Sequence, residues 1–177
     1  MPFHRVVFVG ALLLAFSRPA GAQDVKRTID QYDAEVGGMY VYMNEEGGFG
    51  GHGVLVDGGY RLWAYEDWRL QAAAEVMLVR FGDFDATYKH LAAGVRMGRL
   101  FSPELRVFGQ FLVGIQNDGF EESNAGVVIV PGGGASYALT ERFDARVMID
   151  FPAARYHGRM FNQFRLSIGV GVPLGAH

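Results

Sequence analysis

From about residue 34 to the C-terminus, apolar and polar side chains alternate with period two over stretches of 10 to 14 residues. That spacing puts successive side chains on opposite faces of an extended strand. No convincing helical face interrupts it. Eight strands are predicted, at about 34–44, 52–65, 69–80, 88–100, 104–116, 127–139, 142–152 and 161–174. In the last, Phe164, Leu166, Ile168, Val170, Val172 and Leu174 share one face, and Arg165, Ser167, Gly169 and Gly171 the other. In the seventh, Phe143, Ala145, Val147, Ile149 and Phe151 oppose Asp144, Arg146, Met148 and Asp150.

Short turns at Glu66-Asp67, Ser102-Pro103-Glu104 and Thr140-Glu141-Arg142 alternate with longer Gly- and Asp-rich links at 45–51, 82–87, 117–126 and 153–160. This rhythm predicts an antiparallel up-and-down meander in one domain. The strands exceed the globular mode of about five or six residues and match the roughly 9–11 tilted residues that cross a bilayer.

A membrane barrel turns its apolar face to lipid, whereas a soluble lipocalin-like barrel turns it inward around an apolar ligand. The polar face carries Glu35, Asp57, Arg61, Arg69, Glu75, Arg96, Arg106, Asp144, Arg146, Asp150 and Arg165, interleaved with Gly and Ala. Beyond residue 22 only Lys26 and Lys89 stand beside 12 Arg. Arg suits desolvated, forked pairing with carboxylates, while Lys suits water. The charges are therefore predicted to lie inside as ion pairs, with Val, Leu, Ile and Phe facing lipid. Trp63, Tyr65, Trp68, Phe101, Tyr137 and Phe143 near the short turns fit one interfacial aromatic girdle. Tyr40, Tyr42, Phe81, Phe84, Tyr88, Phe161 and Phe164 near the longer links fit the other.

The first residues read as an address. His4 and Arg5 precede the apolar run Val6–Phe16, and Ala20-Gly21-Ala22 is a small-x-small cleavage site. Residues 1–22 are predicted to be a cleaved signal peptide and 23–33 a periplasmic lead-in to a barrel at 34–175. Cleavage leaves 155 residues with 14 basic and 19 acidic side chains. Such a balance builds no basic stripe for nucleic acid. With no Cys in the chain, disulfides, thiol catalysis and Cys-based metal sites are excluded.

The run Gly132 to Arg146, a Gly-rich strand followed by a short polar turn and an alternating strand, resembles the late hairpin of the OmpA/OmpX-type small outer-membrane β-barrels. The resemblance extends over 34–175. It implies an all-β, eight-stranded transmembrane barrel in the cell outer membrane, with outer-membrane lipid and the barrel-assembly machinery as partners. It also implies that Ser167, Gly169, Val172 and Leu174 form the assembly signal of the last strand, here with aliphatics where the family prefers aromatics.

An eight-stranded interior is just wide enough for its own side chains, so a structural or surface-contact role is expected and a diffusion pore is not. Ser123-Asn124-Ala125-Gly126 is similar to a stretch of the lipid A 3-O-deacylases, but Glu121 stands where that family has its base His. A hydroxyl without a base is a weak nucleophile, and no enzyme is expected. His52, Asp57, His90 and His157 are dispersed, and Asp83, Asp85, Asp118, Glu121 and Glu122 read as acidic loop content. No metal or cofactor is expected. Gly47 to Gly51 lacks the Lys-Ser/Thr of a phosphate loop and reads as a hairpin tip.

Overall fold

The computed structural model describes residues 32–45, 48–82, 86–117, 125–156 and 158–176. The predicted signal peptide, most of the lead-in, and Phe84, Asp83, Asp85, Asp118, Glu121, Glu122, Ser123, Asn124 and His157 lie outside them. The strands are β1 (Tyr32–Glu45), β2 (Phe49–Tyr65), β3 (Trp68–Phe81), β4 (Ala86–Leu100), β5 (Leu105–Asn117), β6 (Ala125–Ala138), β7 (Asp144–Asp150), β8 (Ala153–Tyr156) and β9 (Arg159–Ala176). Each pairs antiparallel with its neighbour. β1 also pairs with β9 from Tyr32↔Ala176 to Glu45↔Gln163, which closes the sheet into a barrel.

Nine strands make eight staves. β7 and β8 both pair with β6 and with β9, and the register runs through the gap unchanged, from Gly132↔Asp150 to Ile129↔Ala153 and from Asp150↔Arg165 to Ala153↔Asn162. The interruption falls at Phe151-Pro152, where Pro152 brings no amide donor to the ladder. Its carbonyl still accepts from the Gln163 amide at 2.8 Å.

Two expectations about the connections are corrected. The seventh strand begins at Asp144, not residue 142, because the Phe143 amide is held in the turn by the Thr140 hydroxyl. The links at 45–51 and 153–160 are largely strand: Asn44↔Gly50 and Arg155↔Met160 are paired positions. Between the described strands the four longer links shrink to 46–48, 82–85, 118–124 and 157–158. Gly is a poor strand former alone, yet the neighbouring ladder carries Gly50 and Gly51.

β2 contains a bulge at Leu62, between the pairs Arg61↔Gln71 and Trp63↔Leu70. The extra residue reverses the inward–outward alternation beyond it. Trp63 and Tyr65 would otherwise point inward; they stand outside instead, stacked at 6.0 Å and beside exposed Trp68. At the other end the predicted girdle is corrected. Phe81 and Tyr88 lie inside, 4.6 Å apart, and Phe161 packs against an inner cluster. Tyr40, Phe151 and Phe164 remain on the outer face.

Candidate functional site: the lumen

The barrel is apolar outside and charged inside. Val36, Val54, Val56, Val76, Leu78, Leu91, Val95, Phe111, Val113, Ile115 and Val127 are exposed. Ten of the eleven candidate lumen residues are buried; the eleventh, Arg61, is partly exposed and pairs with Asp33 near the short-turn end.

Three arginines and two carboxylates meet first. Glu35 lies 2.5 Å from Arg106 and 3.1 Å from both Arg96 and Arg146. Asp57 lies 2.6 Å from Arg96 and 2.7 Å from Arg146. The Phe108 ring sits among the same three guanidiniums, at 4.7 Å from Arg96, 5.9 Å from Arg106 and 6.0 Å from Arg146. This is cation–π geometry in a water-poor setting. The Arg146 Nε also donates to Ser136 at 3.2 Å.

A second group centres on Arg165. Its two terminal nitrogens donate to both Glu75 oxygens at 2.7 and 3.0 Å, a forked pair, and Nε donates to Asp150 at 3.1 Å. His90 Nε2 lies 2.9 Å from Glu75 Oε1. The two groups are joined by Gln110, whose carbonyl accepts from Arg96 at 2.9 Å while its amide donates to Asp150 at 2.9 Å. Beyond His90 the chain of contacts continues to Gln116 at 3.5 Å and on to Gln163 at 3.3 Å.

Arg96, Arg106, Arg146 and Arg165 thus face Glu35, Asp57, Glu75 and Asp150, four charges of each sign drawn from β1, β2, β3, β4, β5, β7 and β9. Neutrality is what makes burial tolerable, because an unpaired ion in a low dielectric costs several kcal/mol, on the order of 3–5 when one partner is removed. Of the other candidates, Arg69 donates to the Tyr32 carbonyl near the barrel mouth, and Asp144 is buried two residues before Arg146.

The lumen is not filled by charge alone. Met39, Val41, Met43, Leu55, Met77, Val79, Phe81 and Met148 form an inner apolar cluster, and Leu112, Val128, Val130 and Ala154 belong to another. Alternation in the sequence puts Met148, Gln71, Gln110 and Gln116 on the charged face and reads His90 as a lumen or loop residue; Gln163, which shares that parity, and the remaining apolar residues are not singled out by it. Of the four last-strand positions, Ser167 is buried inside, Gly169 packs against Met39, and Val172 and Leu174 lie on the outer side.

No catalytic arrangement forms among the described residues. His90 faces a carboxylate and an amide, the Ser136 hydroxyl accepts from Arg146, and Ser102 bonds Glu104 at 3.0 Å. No group of three or more potential metal ligands is present among them either.

No family model and no curated protein matches the chain. Solved structures do. Neisserial surface protein A superimposes with a TM-score of 0.59 at 14% identity, over 80% of this chain and 96% of that one. The N-terminal β-barrel domain of Pseudomonas aeruginosa OprF matches at 0.46 and 18% identity, over 79% and 97%. Ail, the attachment invasion locus protein of Yersinia pestis, matches at 0.47 and 13% identity, over 78% and 95%. The chain has the all-β, eight-stranded antiparallel fold of the small outer-membrane barrels.

Proposed function

We propose that this chain is a small integral barrel of the cell outer membrane with a structural role, closed to diffusion by its own side chains. Residues 1–22 are its signal peptide, 23–33 the periplasmic lead-in and 34–175 the membrane barrel. The observation that carries this reading is the inverted polarity: fully buried arginines in a charge-balanced lumen, under an outer face of exposed Val, Leu, Ile and Phe. A lipocalin-like protein would need the reverse. Only a closed sheet satisfies its backbone in lipid, and the β1–β9 ladder supplies closure. With about 13 or more residues per full stave, the barrel is tall enough for an apolar band of roughly 25 Å.

The start of β1 at Tyr32, the end of β9 at Ala176 and the turns at 66–67, 101–104 and 139–143 lie at one end of the barrel, assigned here to the periplasm. The connections at the other end offer little area against the roughly 800 Å² per partner of a stable protein interface, which favours a structural over a docking role. The eleven charged candidates act as the lumen's ion-pair set, and Ser167, Gly169, Val172 and Leu174 as the signal read by the assembly machinery.

The test is genetic and topological. A strain lacking the chain should become more sensitive to bile-salt detergent, with wild type restoring resistance. The chain has no Cys, so Gly82→Cys and Asp67→Cys are clean reporters. An impermeant maleimide should label Gly82→Cys on intact cells and Asp67→Cys only after lysis. Unchanged detergent sensitivity contradicts the structural role; labelling of neither position on intact cells contradicts the surface assignment.

A further inference from the structure

At the short-turn end, the outer wall around β4 changes chemistry in steps along the strand. Val95 and Met97 are exposed and apolar. Two residues further on, roughly 7 Å along a strand, stands Arg99. Its paired positions are Trp68 on β3 and Val107 on β5. Beyond it lie two turns, with exposed Glu66 and Asp67 in one and half-buried Glu104 in the other. The Leu100 amide donates to the Asp67 carbonyl at 2.8 Å, which seats the first turn against the end of β4. In the second, Glu104 accepts from the Ser102 hydroxyl at 3.0 Å. The Arg99 guanidinium lies 5.5 Å from the Trp68 ring and 5.8 Å from the exposed Phe101 ring. Among the described residues it makes no ion pair and no hydrogen bond, unlike Arg96, Arg106, Arg146 and Arg165 in the lumen.

We infer that this wall binds the headgroup of a phospholipid whose phosphate is followed by a primary ammonium, as in phosphatidylethanolamine. The order of groups is the same on both sides. Acyl chain meets Val95, Met97 and Val107, phosphate meets Arg99, and the ammonium reaches the carboxylates of the turns. Aromatic rings engage the faces of a guanidinium, whereas its five N–H donors lie in the plane and stay available to phosphate oxygens. Trp68 and Phe101 also fix the depth of the site, as interfacial aromatics do. The carboxylates then decide between headgroups. A lipid of net negative charge is drawn to Arg99 but repelled by Glu66, Asp67 and Glu104. A trimethylated ammonium has no N–H to give. A primary ammonium brings three donors and forms charge-assisted hydrogen bonds to carboxylate oxygens.

The inference rests on the membrane reading above, and the test separates their failures. The full chain and its variants are refolded in a neutral detergent, and heat-dependent gel mobility confirms each barrel. Bound lipid is then counted by native mass spectrometry. The probes are phosphatidylethanolamine, phosphatidylcholine and phosphatidylglycerol with the same acyl chains. Wild type should hold phosphatidylethanolamine about fivefold tighter than either of the others, the worth of one or two exposed charged contacts. Arg99 is exposed and unpaired, so R99Q should leave the barrel folded and weaken phosphatidylethanolamine by a similar factor. E66Q/D67N/E104Q should bring phosphatidylethanolamine and phosphatidylglycerol level. R142Q, in the third short turn, should leave the order of the three lipids unchanged. Equal retention of phosphatidylethanolamine and phosphatidylcholine by wild type overturns the inference, as does retention that R99Q leaves unaltered. A preference for phosphatidylglycerol would make Arg99 a plain anion contact and overturns it too. A chain that stays soluble without detergent overturns the membrane reading and this inference together; a heat-modifiable barrel indifferent to headgroup overturns the inference alone.

Discussion

Gly132 and Asp150 face each other as paired positions on β6 and β7, and a Cβ on residue 132 would fall 2.0 Å from Asp150 Oδ1. The same relationship recurs at Gly37 and Asp57 on β1 and β2, where a Cβ would fall 2.2 Å from the carboxylate. Each lumen carboxylate of this kind lies over a partner that has no side chain. The glycines of these strands are therefore space for ion pairs, not weaknesses in the sheet.

Gly132→Ala should displace Asp150 from Arg165 and Gln110 and destabilise the barrel by about 1–3 kcal/mol, the usual range for overpacking. Gly38→Ala is the control, because nothing lies within 4 Å of the added methyl. Urea unfolding of both variants refolded into lipid vesicles checks this. Equal midpoints for the two would contradict the packing account.

Arg96 touches Glu35, Asp57 and Gln110 at once. Arg96→Met leaves Glu35 and Asp57 to Arg106 and Arg146 with one buried negative charge in excess, and should cost on the order of 3–5 kcal/mol. Arg61→Gln, which removes a partly exposed pair with Asp33, should cost no more than about 1 kcal/mol. The same unfolding assay ranks them, and restoring neutrality with Glu35→Gln beside Arg96→Met should recover part of the loss.

Val95 and Phe111 are paired, exposed positions near the middle of β4 and β5. Val95→Arg should cost about 2–4 kcal/mol if this face meets mid-membrane lipid. Poor accumulation in the outer-membrane fraction, with the protein degraded before insertion, is the expected outcome. Wild-type accumulation would mean that the face does not meet hydrocarbon.

Deleting Leu62 removes the bulge and joins Arg61 directly to Trp63, which keeps Trp63 opposite Leu70 and leaves both rings on the outer face. The expected result is a barrel whose tryptophan emission, and whose quenching by lipids brominated near the headgroup, match those of the wild type. A blue shift with loss of quenching would show that pairing with Leu70 does not orient these rings.

Much of this molecule could be read from its residues. β9 declares both faces cleanly because Phe164, Leu166, Ile168 and Val170 alternate with Arg165, Ser167 and Gly169, and the inward charges of β7 follow the same logic. Legibility ends where both faces are apolar. Gly38-Met39-Tyr40-Val41-Tyr42-Met43, Val76-Met77-Leu78-Val79 and Val127-Val128-Ile129-Val130 carry no polar alternation, so periodicity cannot say that Met39, Val41, Met77, Val79, Val128 and Val130 point inward. Register decides it, and register is a property of the neighbours. The bulge at Leu62 was invisible for a related reason: it is a mismatch between two strands, not a feature of one. The lengths of the connections were misjudged because Gly50, Gly51 and the 153–156 stretch read as loop by composition, yet a closed ladder recruits them. Of the lumen set, the charged residues stand out by parity and type, whereas Gln110, which joins the two ion-pair groups, is one polar residue among several until the fold sets it between Arg96 and Asp150.

The central claim is a closed barrel with lipid outside and ion pairs inside, and the gel mobility of the membrane-extracted chain in SDS tests it most directly. A barrel with every strand paired and no edge open to detergent should migrate as a compact species when unheated and shift to its full 19.5 kDa position, or that of the cleaved form, after boiling. A single heat-independent band from a soluble periplasmic fraction would contradict both the closure and the assignment of the faces.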